Sequence, residues 1–145
     1  MKLVVFIFVA VSCSSYAKDL CVDLKAIRTI PLKNEKVDDT PYYEILRSGN
    51  DALPCLIENV TNIERTPDPR KAPKVDNFVI GDLAYFMIVR ITGMEFTMPF
   101  PKEVKLEYEE LGVYAYFKYV QDTNNRKQLY ERLKKLKGSI TMRAS

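Results

Sequence analysis

The stretch Val79-Ile80-Gly81-Asp82-Leu83-Ala84-Tyr85-Phe86-Met87-Ile88-Val89-Arg90-Ile91-Thr92-Gly93 is apolar at almost every position, broken only by Asp82, Tyr85 and Arg90. A helix that is apolar nearly all round belongs in an interior. The run therefore predicts a central, buried helix from about Val79 to Thr92, stopped by Gly93. Upstream, Leu53, Leu56, Ile57 and Val60 recur at i, i+3, i+4 and i+7, the stripe of an amphipathic helix running to about Asn62. Asn50 or Asp51 would cap it, and Pro54 falls in its first turn, where a missing N–H does no harm. Between the two, residues 66–73 hold three prolines in eight positions and predict a stiff, extended loop.

The same reading extends in both directions. Val22, Leu24, Ala26, Ile27 and Ile30 suggest a short first helix over Cys21–Ile30, ended by Pro31. Thr40-Pro41 looks like an N-cap with proline at the first helical position, opening a helix over 41–47 that Gly49 stops. Met94–Pro101 is a connector whose Phe96 and Phe100 would pack over the core edge. From Lys102 to about Val120 the pattern is helical, with Gly112 dividing it. Residues 112–120 have a sheet-like composition, but strict alternation is missing and no partner strand is visible, so helix is preferred. Asn124 or Asn125 would cap a last helix ending near Lys137, with Leu129, Leu133 and Leu136 inward and Arg126, Lys127, Arg132, Lys134, Lys135 and Lys137 outward. Gly138 would terminate it, leaving 139–145 as a frayed tail. The expectation is one all-α domain over 18–138, five or six short helices in a compact antiparallel bundle.

Residues 1–17 have the layout of a secretory signal. Lys2 precedes an apolar run from Leu3 to Val11, too short to span a membrane, and Ser15-Tyr16-Ala17 would suit cleavage before Lys18. A competing arrangement is Ala10-Val11-Ser12-Cys13, similar to a bacterial lipobox in which Cys13 is acylated. Either route takes the chain out of the cytoplasm, to the periplasm, the medium or, as a lipoprotein, the outer membrane. Cys21 and Cys55 then remain as an even pair, which in an exported domain reads as a disulfide.

Two stretches resemble HEAT-type helical repeats. Tyr43–Ile57, which contains Gly49-Asn50-Asp51-Ala52-Leu53-Pro54-Cys55-Leu56, is similar to the helix entry of such repeats, and Ile80-Gly81-Asp82-Leu83-Ala84 through Arg90-Ile91-Thr92-Gly93 to their second helix. The likeness implies a central helix pair rather than a long solenoid, since the pattern does not recur. Size, compartment and helicity also make the chain similar to the periplasmic immunity proteins that neutralise peptidoglycan amidases of type VI secretion. No residue role is carried over from that family.

Histidine is absent, which removes His-based triads, metal sites and proton shuttles; no cofactor or metal is expected. Lys and Arg number 22 against 19 Asp and Glu, a net charge of +3, too small to announce a nucleic-acid partner. The most site-like group is Asp68, Arg70 and Lys71 on the proline loop, together with Asp82. An arginine on a stiff loop would present its guanidinium at low entropic cost; the plainer alternative is an internal Arg70–Asp82 pair. Tyr114 and Tyr116 lie in a tyrosine-rich stretch, either a partner surface or core packing. Glu107, Glu109 and Glu110 could suggest catalytic carboxylates, and Asp68, Asp76 and Asp82 calcium ligands, but neither set has the required spacing. The leading expectation is a non-enzymatic envelope protein that binds another protein as an inhibitor or immunity factor. The alternatives are a lipid-anchored structural component, touching the membrane only through Cys13, and a carboxylate-dependent cell-wall enzyme.

Overall fold

The computed structural model describes residues 21–32 and 35–143; the signal-like segment 1–17, with Cys13, lies outside them. Among the described residues there are six α-helices: α1 (Thr40–Ser48), α2 (Leu53–Asn59), α3 (Ile80–Thr92), α4 (Lys102–Leu111), α5 (Val113–Val120) and α6 (Thr123–Arg143). Two 3₁₀ turns, Val22–Ala26 and Gly49–Ala52, complete the order, and the only β pairing described is an isolated bridge between Arg65 and Val79. The fold is all-α.

Helix α3 is the central one. It packs against α1, α2, α6 and both 3₁₀ turns, and buries Leu83, Ala84, Tyr85, Met87 and Ile88. Gly93 ends it at φ +62°, the left-handed conformation, with its N–H bonded to Val89 O at 2.9 Å. The stripe Leu53, Leu56, Ile57 and Val60 of the α2 segment is fully buried against it. Gly112, at φ +58°, divides α4 from α5 as expected, and 113–120 is helix, not strand.

Several local expectations need correction, each for a tertiary reason. Only Val22–Ala26 of the first segment is helical, and as a 3₁₀ turn. Beyond Ile27 the chain turns extended because its N–H groups have better partners elsewhere. Asp39 Oδ2 accepts from Arg28 N at 2.7 Å and Thr29 N at 2.8 Å, and Ile30 N donates to Pro69 O at 2.9 Å. Asp39, not Thr40, caps α1: its Oδ1 accepts from Tyr42 N at 3.0 Å. Residues 49–52 form a 3₁₀ turn in place of an Asn50 or Asp51 cap, and α2 stops at Asn59 rather than Asn62. Helix α6 begins at Thr123 after Asp122, whose Oδ1 accepts from Asn124 N at 2.8 Å, ahead of the expected Asn124 or Asn125. It then runs through Gly138 to Arg143, and Ile140, only 1% exposed, is part of the core. A mid-helix glycine costs only about 1 kcal/mol, less than burying an isoleucine returns. The tail from 139 is therefore helix as far as Arg143, not a frayed end.

Cys21 and Cys55 are joined by a disulfide, with a Cα–Cα separation of 6.1 Å. It fastens the N-terminal segment to α2, while Leu24 and Ile27 of that segment enter the core.

Candidate functional site

The buried charges Asp82, Arg126, Asp68 and Arg70 are bonded to one another in pairs. Asp82 in the first turn of α3 accepts from Val79 N at 3.0 Å through Oδ2, which caps the helix. Its Oδ1 accepts from Tyr116 Oη at 2.8 Å and from Arg126 Nη2 at 2.8 Å. Arg126 also donates to Val60 O at 3.2 Å and Val120 O at 3.3 Å. The Arg126 and Asp82 side chains are 7% and 1% exposed. One carboxylate and one guanidinium thus join α3, α5, α6 and the end of the α2 segment. Arg126 was expected outward, yet its spacing to Leu129 and Leu133 puts it on the leucine face, a signal present in the sequence.

Arg70 does not pair with Asp82. Its Nε and Nη2 bond Asp68 Oδ1 and Oδ2 at 2.9 and 2.6 Å, a two-pronged pair within the loop. Asp68 Oδ2 also accepts from Val75 N at 3.0 Å, which closes the loop on itself. The guanidinium lies over Phe117 at 4.6 Å from the ring centroid, with Phe86 at 5.2 Å and Phe78 at 5.3 Å. Asp68 and Arg70, with side chains 3% and 8% exposed, are scaffold rather than a presented recognition pair.

Tyr116 is likewise scaffold. It is fully buried and stacks on Tyr85 at 5.2 Å with the planes 10° apart. Burial raises the phenol pKa of both, with the Asp82 charge adding for Tyr116 and the neighbouring Tyr108 for Tyr85. Tyr85 Oη donates to Phe96 O, so the connector after α3 is held down through this ring.

Two of the expected partner residues do face outward. Lys71 is half-exposed and ion-paired with Glu35, and Tyr114 is 52% exposed at the start of α5. Leu111 and Leu106 of α4 are similarly exposed nearby in the chain, and a Lys118–Glu107 ion pair ties α5 to α4. That pair occupies Glu107, while Glu109 and Glu110 lie exposed on α4. Asp76 is exposed, whereas Asp68 and Asp82 are each buried in a pair; among the described residues no group of three such side chains could hold a metal ion.

A cleft of about 560 Å³ lies between the N-terminal segment, the proline loop, α3 and the start of α5. Phe86, Val89, Met94, Phe96 and Val113 line it, and Arg70, Lys71 and Arg90 are its only charged residues. Arg90 is fixed there by donating through Nε to Tyr42 Oη at 3.0 Å and through Nη2 to Pro31 O. Sequence reading marked Arg90 as a break in the apolar run but gave it no role, because Tyr42 and Pro31 lie 48 and 59 residues away in the chain. No family model, curated protein or solved structure matches this chain.

Proposed function

We propose that the chain is an exported, non-enzymatic protein of the cell envelope that binds another protein, in the manner of an inhibitor or immunity factor. The observation that carries this is the α4–α5 elbow. Tyr114, Leu111 and Leu106 stand about half exposed on it, while the elbow itself is set by Gly112 and the Lys118–Glu107 pair. Tyrosine and leucine held on a rigid base lose little entropy on docking. The Cys21–Cys55 bond supports the exported compartment, where such crosslinks persist. The likeness to HEAT-type repeats rests on α2 and α3, which pack against each other, and helical pairs of that kind present recognition surfaces.

The test is a pull-down from envelope extract with residues 18–145. The expected result is one stoichiometric partner, retained by the unaltered protein and lost when Tyr114→Ala and Leu111→Glu are combined. Peptidoglycan turnover that vanishes with Glu107→Gln or Glu110→Gln would overturn the proposal. Intact mass of the exported form separates a chain starting at Lys18 from one starting at acylated Cys13.

A further inference from the structure

The cleft beside the proline loop has a chemistry separate from the α4–α5 elbow. Its volume of about 560 Å³ lies within the roughly 300–1,000 Å³ of small-molecule sites. Apolar walls favour an apolar ligand, and the charged residues on its lining are all cations, of which Arg70 is paired with Asp68 and Lys71 with Glu35. Arg70, Lys71 and Arg90 line it and no acidic residue does. Arg90 is held in place by Pro31 O and Tyr42 Oη, so it is oriented before any ligand arrives, whereas the Arg70 charge is already met by Asp68. Lys71 lines the cleft half-exposed, ion-paired with Glu35, and an anionic head group would take the place of that carboxylate.

We propose that this cleft binds a single-chain anionic amphiphile. The alkyl chain lies along Phe86, Val89, Phe96 and Val113, and the carboxylate or phosphate head sits at Lys71 and Arg90. The other concavities are less suited. The cleft of about 240 Å³ at Asp82 and Arg126 has its buried charges bonded to each other, and the one of about 340 Å³ beside Arg132, Lys135 and Leu136 is a shallower surface with fewer apolar walls.

The test titrates the whole chain, below micelle-forming concentration, with dodecanoate, dodecyl phosphate, dodecyltrimethylammonium and dodecyl maltoside. Heat of binding and the methyl NMR signals of Val89, Val113 and Met94 are followed together. Both anions are expected to saturate at one per chain and to move those methyls, the tighter one identifying the head group. Lys71→Glu should weaken them about tenfold, the size of one lost charge-assisted contact, and Val89→Trp should block the cleft. Equal affinity for the cationic or neutral amphiphile, methyl shifts only near Leu136, or an unchanged affinity in Lys71→Glu would overturn the proposal. The Lys71 substitution lies on an exposed side chain, so it decides the matter even if Val89→Trp does not fold.

Discussion

Arg126 of α6 reaches Asp82 of α3 across 44 residues of chain, Nη2 to Oδ1 at 2.8 Å, with both side chains out of solvent. Removing one partner of such a pair leaves a buried charge uncompensated and typically costs about 3–5 kcal/mol. Arg126→Met is expected to destabilise by that amount in urea unfolding. Asp82→Leu combined with Arg126→Met should lose less than the sum of the singles, because the second change removes the orphaned charge. Tyr116→Phe, which deletes one hydrogen bond to a carboxylate, should cost about 1.5–3 kcal/mol.

Two helical glycines should respond to alanine with opposite signs. At Gly138 a Cβ meets nothing within 4 Å, so Gly138→Ala should stabilise α6 by about 0.5–1 kcal/mol through helix propensity. At Gly81 a Cβ would strike Val60 O, come within 2.7 Å of Arg126 Nη1 and within 2.9 Å of Asn62 O. Gly81→Ala should therefore lower the melting temperature, because the Asp82–Arg126 junction has to move to admit a methyl group.

Alkaline pH should unfold the protein early. Burial raises the pKa of Tyr85 and Tyr116 above the ordinary value of about 10. Above that value the unfolded chain releases both protons while the folded one keeps them, so the folded state binds more protons and stability falls as pH rises. The contribution is complete below about pH 10 and declines above it by about 1.4 kcal/mol per pH unit for each tyrosine held neutral. Unfolding curves on either side of pH 10, with tyrosinate absorbance of the folded form, check this; Tyr85→Phe should flatten the decline.

Opening the Cys21–Cys55 bond, which spans 34 residues, should cost about 3–4 kcal/mol in the chain-entropy account. Cys21→Ser with Cys55→Ser should melt lower than the oxidised protein and match it when reductant is added. Protection of α3 amides from exchange should persist until global unfolding, since the Asp82 junction does not involve the crosslink.

Much of the helical frame was legible because it rests on local signals. The stripe from Leu53 to Val60, the all-round apolar run before Gly93 and the break at Gly112 each needed only neighbours in sequence. The errors fall where a distant partner decided. Residues 27–30 left the helical pattern for Asp39 and Pro69, and Arg70 chose Asp68 and three phenylalanine rings over Asp82. Arg126 went inward because Asp82 and two carbonyls awaited it. Of the candidate recognition residues, Lys71 and Tyr114 are available at the surface, whereas Asp68, Arg70 and Tyr116 serve the interior. Charge and aromaticity mark a residue as important without saying which side of the surface it takes.

The proline loop leaves and returns at one place. Thr66 N bonds Phe78 O at 3.1 Å and Ile80 N bonds Glu64 O at 2.9 Å, so the ends of the excursion run side by side around the Arg65–Val79 bridge. A protease that cuts after Lys71, where the side chain and the following Ala72 are exposed, should yield two fragments on a denaturing gel that still travel as a single particle in gel filtration. Each fragment brings to the other what it lacks, Val60 O from the first meeting Arg126 from the second, so the halves made separately are candidates for reassembly into the intact shape.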